Sequence, residues 1–232
     1  MALTTRSFMR EIRDTIRDLV FGMEDGLISN LGLVLGVAAA GAPNSTVLLA
    51  GFASMFAGAV SMAAGDYLST KSQREVLDEQ LEEEEKKLSS TKEELKVIRR
   101  LYRSARFTEK EIRHFVKHLS ANKRLTLKIL AEEALGIVPE KYENPSRGAA
   151  IIFVAFLAGS LSPILPFFLA DTKLASMLSL LATGLVLFAV GAYKTRITNR
   201  NWLKSGIEML IVALLAAAAG YAIGTLLGVQ IT

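Results

Sequence analysis

The stretch FGMEDGLISN (21–30) sets two adjacent carboxylates, Glu24 and Asp25, at the start of an apolar run, LGLVLGVAAAG. An acid at the centre of a bilayer costs roughly 2.5–3.5 kcal/mol on insertion scales. Acids at the mouth of a span therefore call for a bound cation or a proton. The other polar residues in apolar surroundings are few: Ser29, Asn30, Asp66 and Glu208. Ser29 is four residues after Asp25 and shares its helical face, while Glu24 points about 100° away. Met55, Met62 and Asp66 share one face of the next apolar run. If the two runs cross a membrane in opposite directions, Asp25 and Asp66 come to similar depth on neighbouring helices. Carboxylate, thioether and hydroxyl on facing helices form a ligand set for a borderline divalent cation, because carboxylates suit hard ions and sulfur shifts preference toward transition metals. Methionine is also a common apolar filler, the plain alternative for Met55 and Met62. Glu208 has Lys204 at i−4 and reads as structural.

Two weaker candidates lie in the charged part of the chain. DEQLEEEE (78–85) stacks Glu75, Glu79 and Glu82 or Glu83 on one helix face, and Asp78, Glu82 and Glu85 on another. Stacked like charges repel unless cations neutralise them; a solvated face is the ordinary reading. His114 and His118, the only histidines, are four apart with Glu111 before them, which is ligand spacing on a helix. No HExxH, glycine-rich phosphate loop or Ser/His/Asp order is present, so an enzyme is not expected. RRLYRSAR (99–106) suits anionic lipid headgroups better than nucleic acid.

These residues need membrane helices to position them. The chain of 232 residues is 51% hydrophobic yet 22% charged, and the two are segregated. A span needs about 20 apolar residues. The first apolar run is too long for one and is broken by AGAPNST (40–46). Five spans result, at about 19–41, 46–69, 148–170, 173–194 and 203–228. Lysine and arginine number four before the first span, 18 in 71–147 and four in 194–204, with only Lys173 on the other side. The positive-inside rule then puts the N-terminus and 71–147 in the cytosol and the C-terminus outside. It also accounts for the net charge of +4 without nucleic acid. The charged, amphipathic first 18 residues do not read as a cleavable signal peptide. With no cysteine, disulfides and thiolate metal sites are excluded.

The expected fold is an all-α integral membrane protein, organised as 1–70 with the first two spans, 71–147 as an inserted cytosolic helical domain, and 148–232 with the last three. Good helix formers run on from the second span with no Gly or Pro until Gly136, which predicts one long helix with a break near Ser89–Ser90. Capping boxes Thr91–Glu94 and Thr108–Glu111 predict helices at about 92–105 and 109–120, with a last one at about 122–135. Glycines at 51, 58 and 65, at 32 and 36, and at 220, 224 and 228 mark close helix packing, either within one chain or at a homodimer seam.

RDLVFGMEDGLISNLGLVLGVAAAG, AGFASMFAGAVSMAAGDYLSTKSQRE and AGSLSPILPFF resemble the vacuolar iron transporter family. The resemblance covers most of the chain, and the DGL of span 1 and the SMxxGxYLSxxSQ of span 2 are its most specific parts. It implies a homodimer that moves Fe2+, often Mn2+ or other divalent ions, out of the cytosol in exchange for protons, through a pathway lined by the two first spans. It implies that Asp25 and Met62 carry the ion, with Asp66 matching a further acid and Glu24 standing where many members have Asn or Ser. It implies a cytosolic metal site to which Glu82, Glu85 and Glu94 correspond. Ser54 stands where some members have a glutamate, and Val97 where Glu94 would have its partner.

The expectation is thus a proton-coupled exporter of Fe2+ that holds no resident cofactor and works with metal ions, protons, lipid and a second copy as partners. The alternative is a non-transporting membrane scaffold or metal sensor built on 71–147. The expected location is a prokaryotic cell membrane, or a vacuole-type membrane in a eukaryote.

Overall fold

The computed structural model describes residues 2–87, 96, 103, 107–119, 144–198 and 200–231. The described elements are α1 (Ala2–Ala39), α2 (Asn44–Lys87), α3 (Glu109–Leu119), α4 (Pro145–Ile164), α5 (Pro166–Leu169), α6 (Thr172–Thr198) and α7 (Trp202–Ile231). No strand occurs among the described residues. Among the described residues five segments are long and apolar enough to cross a membrane: Ile12–Ala39, Asn44–Gln80, Pro145–Leu169, Thr172–Arg196 and Trp202–Gly228. They match the five expected from hydropathy. The chain divides into two compact units, Met1–Tyr67 with Pro145–Thr232, and Leu68–Asn144.

The AGAPNST break is a turn with a defined chemistry. Ala42 N–H bonds the carbonyl of Val37 and Gly41 N–H that of Ala38, which is the Schellman pattern. It needs a left-handed residue, and Gly41 supplies it at φ 84°. Pro43 cannot continue the helix, and Asn44 opens the next. The Asn44 amide donates to the carbonyls of Phe167 and Ala170 and accepts from the Thr172 hydroxyl. One side chain thereby ties the start of α2 to the α5–α6 turn. The PILP sequence divides the third span: Pro163 lacks the N–H that would bond Gly159, and Ser179 of α6 donates to the Pro163 carbonyl at 2.8 Å.

Helix α1 is the hub of the first unit. Its Leu27, Leu31 and Leu35 pack with Leu187 of α6 and with Met209, Ala213 and Ala217 of α7. Its Val34 packs on another side with Val47 and Met55 of α2, Ile164 of α4, Phe167 of α5 and Ala175 of α6. The glycines show where backbones touch. A Cβ on Gly220 would collide with the carbonyl of Gly32, one on Gly224 with that of Gly36, and one on Gly228 with Ala40. The double GxxxG of α7 is therefore used inside the chain, against the GxxxG of α1, and not as a seam between copies. Gly51 and Gly58 of α2 make room for the side chains of Ile164 and Phe156, while nothing lies within 4 Å of a Cβ on Gly65.

Helix α2 is unbroken over its 44 residues, as the sequence predicts. At 1.5 Å per residue it is about 66 Å long, twice the hydrocarbon thickness of a bilayer. The predicted break at Ser89–Ser90, the Thr91–Glu94 cap and the helix at 122–135 lie outside the described residues. In the second unit, α3 begins with the expected capping box. Glu111 Oε2 accepts from the Thr108 N–H at 2.8 Å and from its hydroxyl at 2.6 Å. Ile112 and Val116, one turn apart, are buried. Arg103 pairs with Glu109 across the start of the helix.

Candidate functional site

Asp25 lies on an exposed stripe of α1, with Phe21 one turn before it and Ser29 one turn after. Helical geometry alone would allow this stripe to face inward. Packing decides otherwise: Gly22 and Gly26 meet α4, and Met23 and Leu27 meet the α6–α7 core. The Ser29 hydroxyl spends its proton on the Asp25 carbonyl at 2.6 Å, so its lone pairs remain for a ligand. The carboxylate of Asp25 and the oxygen of Ser29 thus share the protomer surface inside a segment long and apolar enough to span a membrane.

Glu24 separates from its neighbour. It is half-buried and interacts electrostatically with Lys194 near the end of α6. Glu24 therefore lies within electrostatic reach of both Lys194 and Asp25, while its own side chain is off the exposed stripe.

Asp66 is not at the depth of Asp25. A Cβ on Gly148 would sit 2.7 Å from Asp66 Oδ2 and 3.4 Å from Asp18 Oδ2, so α1, α2 and α4 meet at these three residues. Asp18 is seven residues before Asp25, about 10 Å along the helix. The register agrees at the other end, where a Cβ on Gly51 would contact both Val34 and Ile164. Running this antiparallel register inward places Met62 level with Gly22 and Met23. Met62 thus stands between Asp25 and Asp66 in depth, within about one helical turn of each. Met55 is buried in the core, so the Met55–Met62–Asp66 face turns toward α4. Met62 at its middle is half-buried. The shared-depth expectation for Asp25 and Asp66 gives way to a staggered arrangement of Asp25, Met62 and then Asp66 beside Asp18.

Asp18 was not singled out in the sequence, although it lies two turns from Asp25 on one stripe. It is 7% exposed, and its Oδ1 accepts from the Arg17 guanidinium at 3.1 Å. Arg147 of α4, next to Gly148, donates to Thr15 at 3.3 Å. The end of the spans that bears Asp18 and Asp66 also bears these arginines and is the basic end of the bundle. In the sequence Asn30 reads only as a polar residue in an apolar run. The structure buries it fully against Ser160.

In the second unit Glu82 is exposed on α2. Glu85 falls within the same helix, and Glu94 lies outside the described residues. His114 is exposed on α3, which also contains His118. Among the described residues no group of three or more His, Cys, Asp or Glu is arranged to hold a metal ion.

Comparison with known proteins bears on this arrangement. The chain is 31% identical over 211 residues to Vacuolar iron transporter 1 of Tulipa gesneriana, an alignment covering 90% of this chain and 85% of that one. It is 27% identical to Protein CCC1 of Saccharomyces cerevisiae, over 92% of this chain and 69% of that one. It is 23% identical to the vacuolar iron transporter of Plasmodium falciparum, over 93% and 83%. The sequence model of the VIT family matches residues 16–225, and the chain therefore belongs to the VIT family.

Proposed function

We propose that this protein exports Fe2+ from the cytosol, together with Mn2+ or other divalent transition metals, in exchange for protons, along a pathway between two copies of the chain. The observation that carries the reading is the exposed carboxylate of Asp25 on the outer stripe of a membrane-spanning helix. Facing lipid tails, that charge would be costly. Facing the same stripe of a two-fold-related copy, it becomes one of two carboxylates around a common ion. Met62 adds sulfur that favours transition metals over Mg2+ or Ca2+. Relatives named as iron transporters support iron as the metal.

Lysine and arginine at the basic end orient that end to the cytosol. Asp66 with Asp18 then lies at the inner mouth, and the acidic part of α2 with Glu82 and Glu85, and with Glu94 beyond it, gathers cations before entry. Asp25 carries a proton on the return step, because an unneutralised charge in a dry site is unfavourable. The membrane is the cell membrane in a prokaryote and a vacuole-type membrane in a eukaryote.

The test is flux in proteoliposomes across a panel of divalent ions, with and without an imposed pH gradient. The expected outcome is Fe2+ or Mn2+ uptake driven by the gradient and abolished by Asp25→Asn. Wild-type flux from that variant would overturn the assignment. Metal binding by the protein without any flux would favour the sensor reading instead.

A further inference from the structure

We propose that Asn30 is a positioning residue: it pins α1 to α4 so that the turn carrying Asp25 keeps one rotation about the helix axis, and the two helices move as one rigid body during transport. The proposal rests on the reading of Asp25 as the ion-carrying residue.

Asn30 is fully buried. Its amide donates to Ser160 Oγ at 2.8 Å and to the carbonyl of Gly26 at 3.3 Å, and Ser160 in turn donates to the carbonyl of Phe156 at 2.7 Å. The backbones around this chain of bonds are in contact. A Cβ on Gly26 would run into the Phe156 carbonyl, one on Gly159 into the Met23 carbonyl, and one on Gly22 would be 2.8 Å from the Ile152 carbonyl. Three glycines within two turns thus join residues 22–26 of α1 to residues 152–159 of α4, and the amide–hydroxyl bond closes the join at its upper end.

Small-residue packing alone does not set a rotation. Between membrane helices it is held by dispersion, and lipid tails compete well for smooth surfaces. A directional bond between buried side chains does set one, as a single buried Asn does for register in a coiled coil. The residue type carries the point. Leucine would fill this space without desolvating an amide, whereas Asn30 leaves its Oδ1 buried with no hydrogen-bond partner among the described residues, an unfavourable state. The retained amide is explained by the geometry it enforces. Asp25 is about one and a half turns from Asn30, on the exposed side of the same segment, and a rotation of α1 would sweep its carboxylate off that side and away from the partner's stripe.

The chain has no cysteine, so the test needs no background substitutions. A Thr15→Cys/Arg147→Cys pair, at positions whose native side chains hydrogen-bond, links α1 to α4 through a short bismaleimide. Flux of Mn2+ and Fe2+ into proteoliposomes should stay within about two-fold of the unlinked protein. Asn30→Ala should raise KM for the metal by about ten-fold with a maximal rate within about two-fold, the split that marks lost binding geometry. If that variant fails to insert, Ser160→Ala deletes the same bond from α4 and takes its place. Loss of flux on cross-linking, an unchanged KM, or a fall in maximal rate alone would overturn the proposal. Full transport by Asp25→Asn would instead overturn the underlying reading, whatever the Asn30 result.

Discussion

At the scale of residues, one peptide bond separates two acids with different fates. Asp25 is on the exposed stripe, and Glu24 is half-buried within electrostatic reach of Lys194. Glu24→Gln should therefore leave transport largely intact, with a metal KM within about three-fold of wild type, a shift worth under 1 kcal/mol. A loss as complete as that of Asp25→Asn, measured in the same flux assay, would place Glu24 in the pathway after all. Met62 differs from a filler methionine in its half-buried position between the depths of Asp25 and Asp66. Met62→Leu conserves volume and costs less than about 1.5 kcal/mol in stability, but removes the sulfur. Competition assays should then show discrimination against Mg2+ or Ca2+ falling while the protein remains folded. Equal selectivity in that variant would return Met62 to the role of packing.

At the scale of elements, α1 and α7 are joined where glycine leaves no side chain between backbones. Gly220→Leu drives a side chain into the carbonyl of Gly32 and should cost about 1–3 kcal/mol or more, as overpacking does. The readout is loss of monodisperse protein in detergent. Gly65→Ala, with nothing within 4 Å of the new Cβ, should behave as wild type. Helix α3 has an acid-sensitive start. Bonds from the Thr108 hydroxyl and N–H hold the Glu111 carboxyl below its ordinary value of 4.5. A depressed folded value means that this cap stabilises the helix fully above the unfolded pKa, and that the contribution is lost as pH falls through the folded one. Circular dichroism of the full chain should show helicity declining below about pH 4.5, and Glu111→Gln, which carries no titrating proton, should flatten that part of the profile. An unchanged profile would dismiss the cap as the cause.

For the whole molecule, the exposed stripe Phe21–Asp25–Ser29 is the face for which a second copy is proposed. A two-fold axis brings each residue near its own counterpart. Phe21→Cys, in a chain with no other cysteine, should give a disulfide-linked dimer on mild oxidation in membranes. A cysteine in place of Leu169, on another helix and 84% exposed, should not. The opposite pattern would move the interface and leave Asp25 without its partner.

Much of this protein was legible in the residue order. Span positions and the length of α2 follow from local hydropathy and helix propensity. The turn at Gly41 and the cap at Thr108 follow from residues within six positions of each other. Asp25 was legible as a candidate because a charge among apolar neighbours stands out in any fold. Partners were not legible. A GxxxG stripe announces close approach without naming the helix approached, and only packing showed that α7 spends its glycines on α1. Helical periodicity placed Met62 and Asp66 on one face but could not say which way that face turned or how α1 and α2 were staggered. Asp18 and Asn30 gained their roles only when Gly148 and Ser160, some 130 residues away, were folded against them. Propensity and hydropathy act between near neighbours and can be read along the chain, whereas rotation and stagger of membrane helices are set by contacts between distant residues and exist only in the assembled bundle.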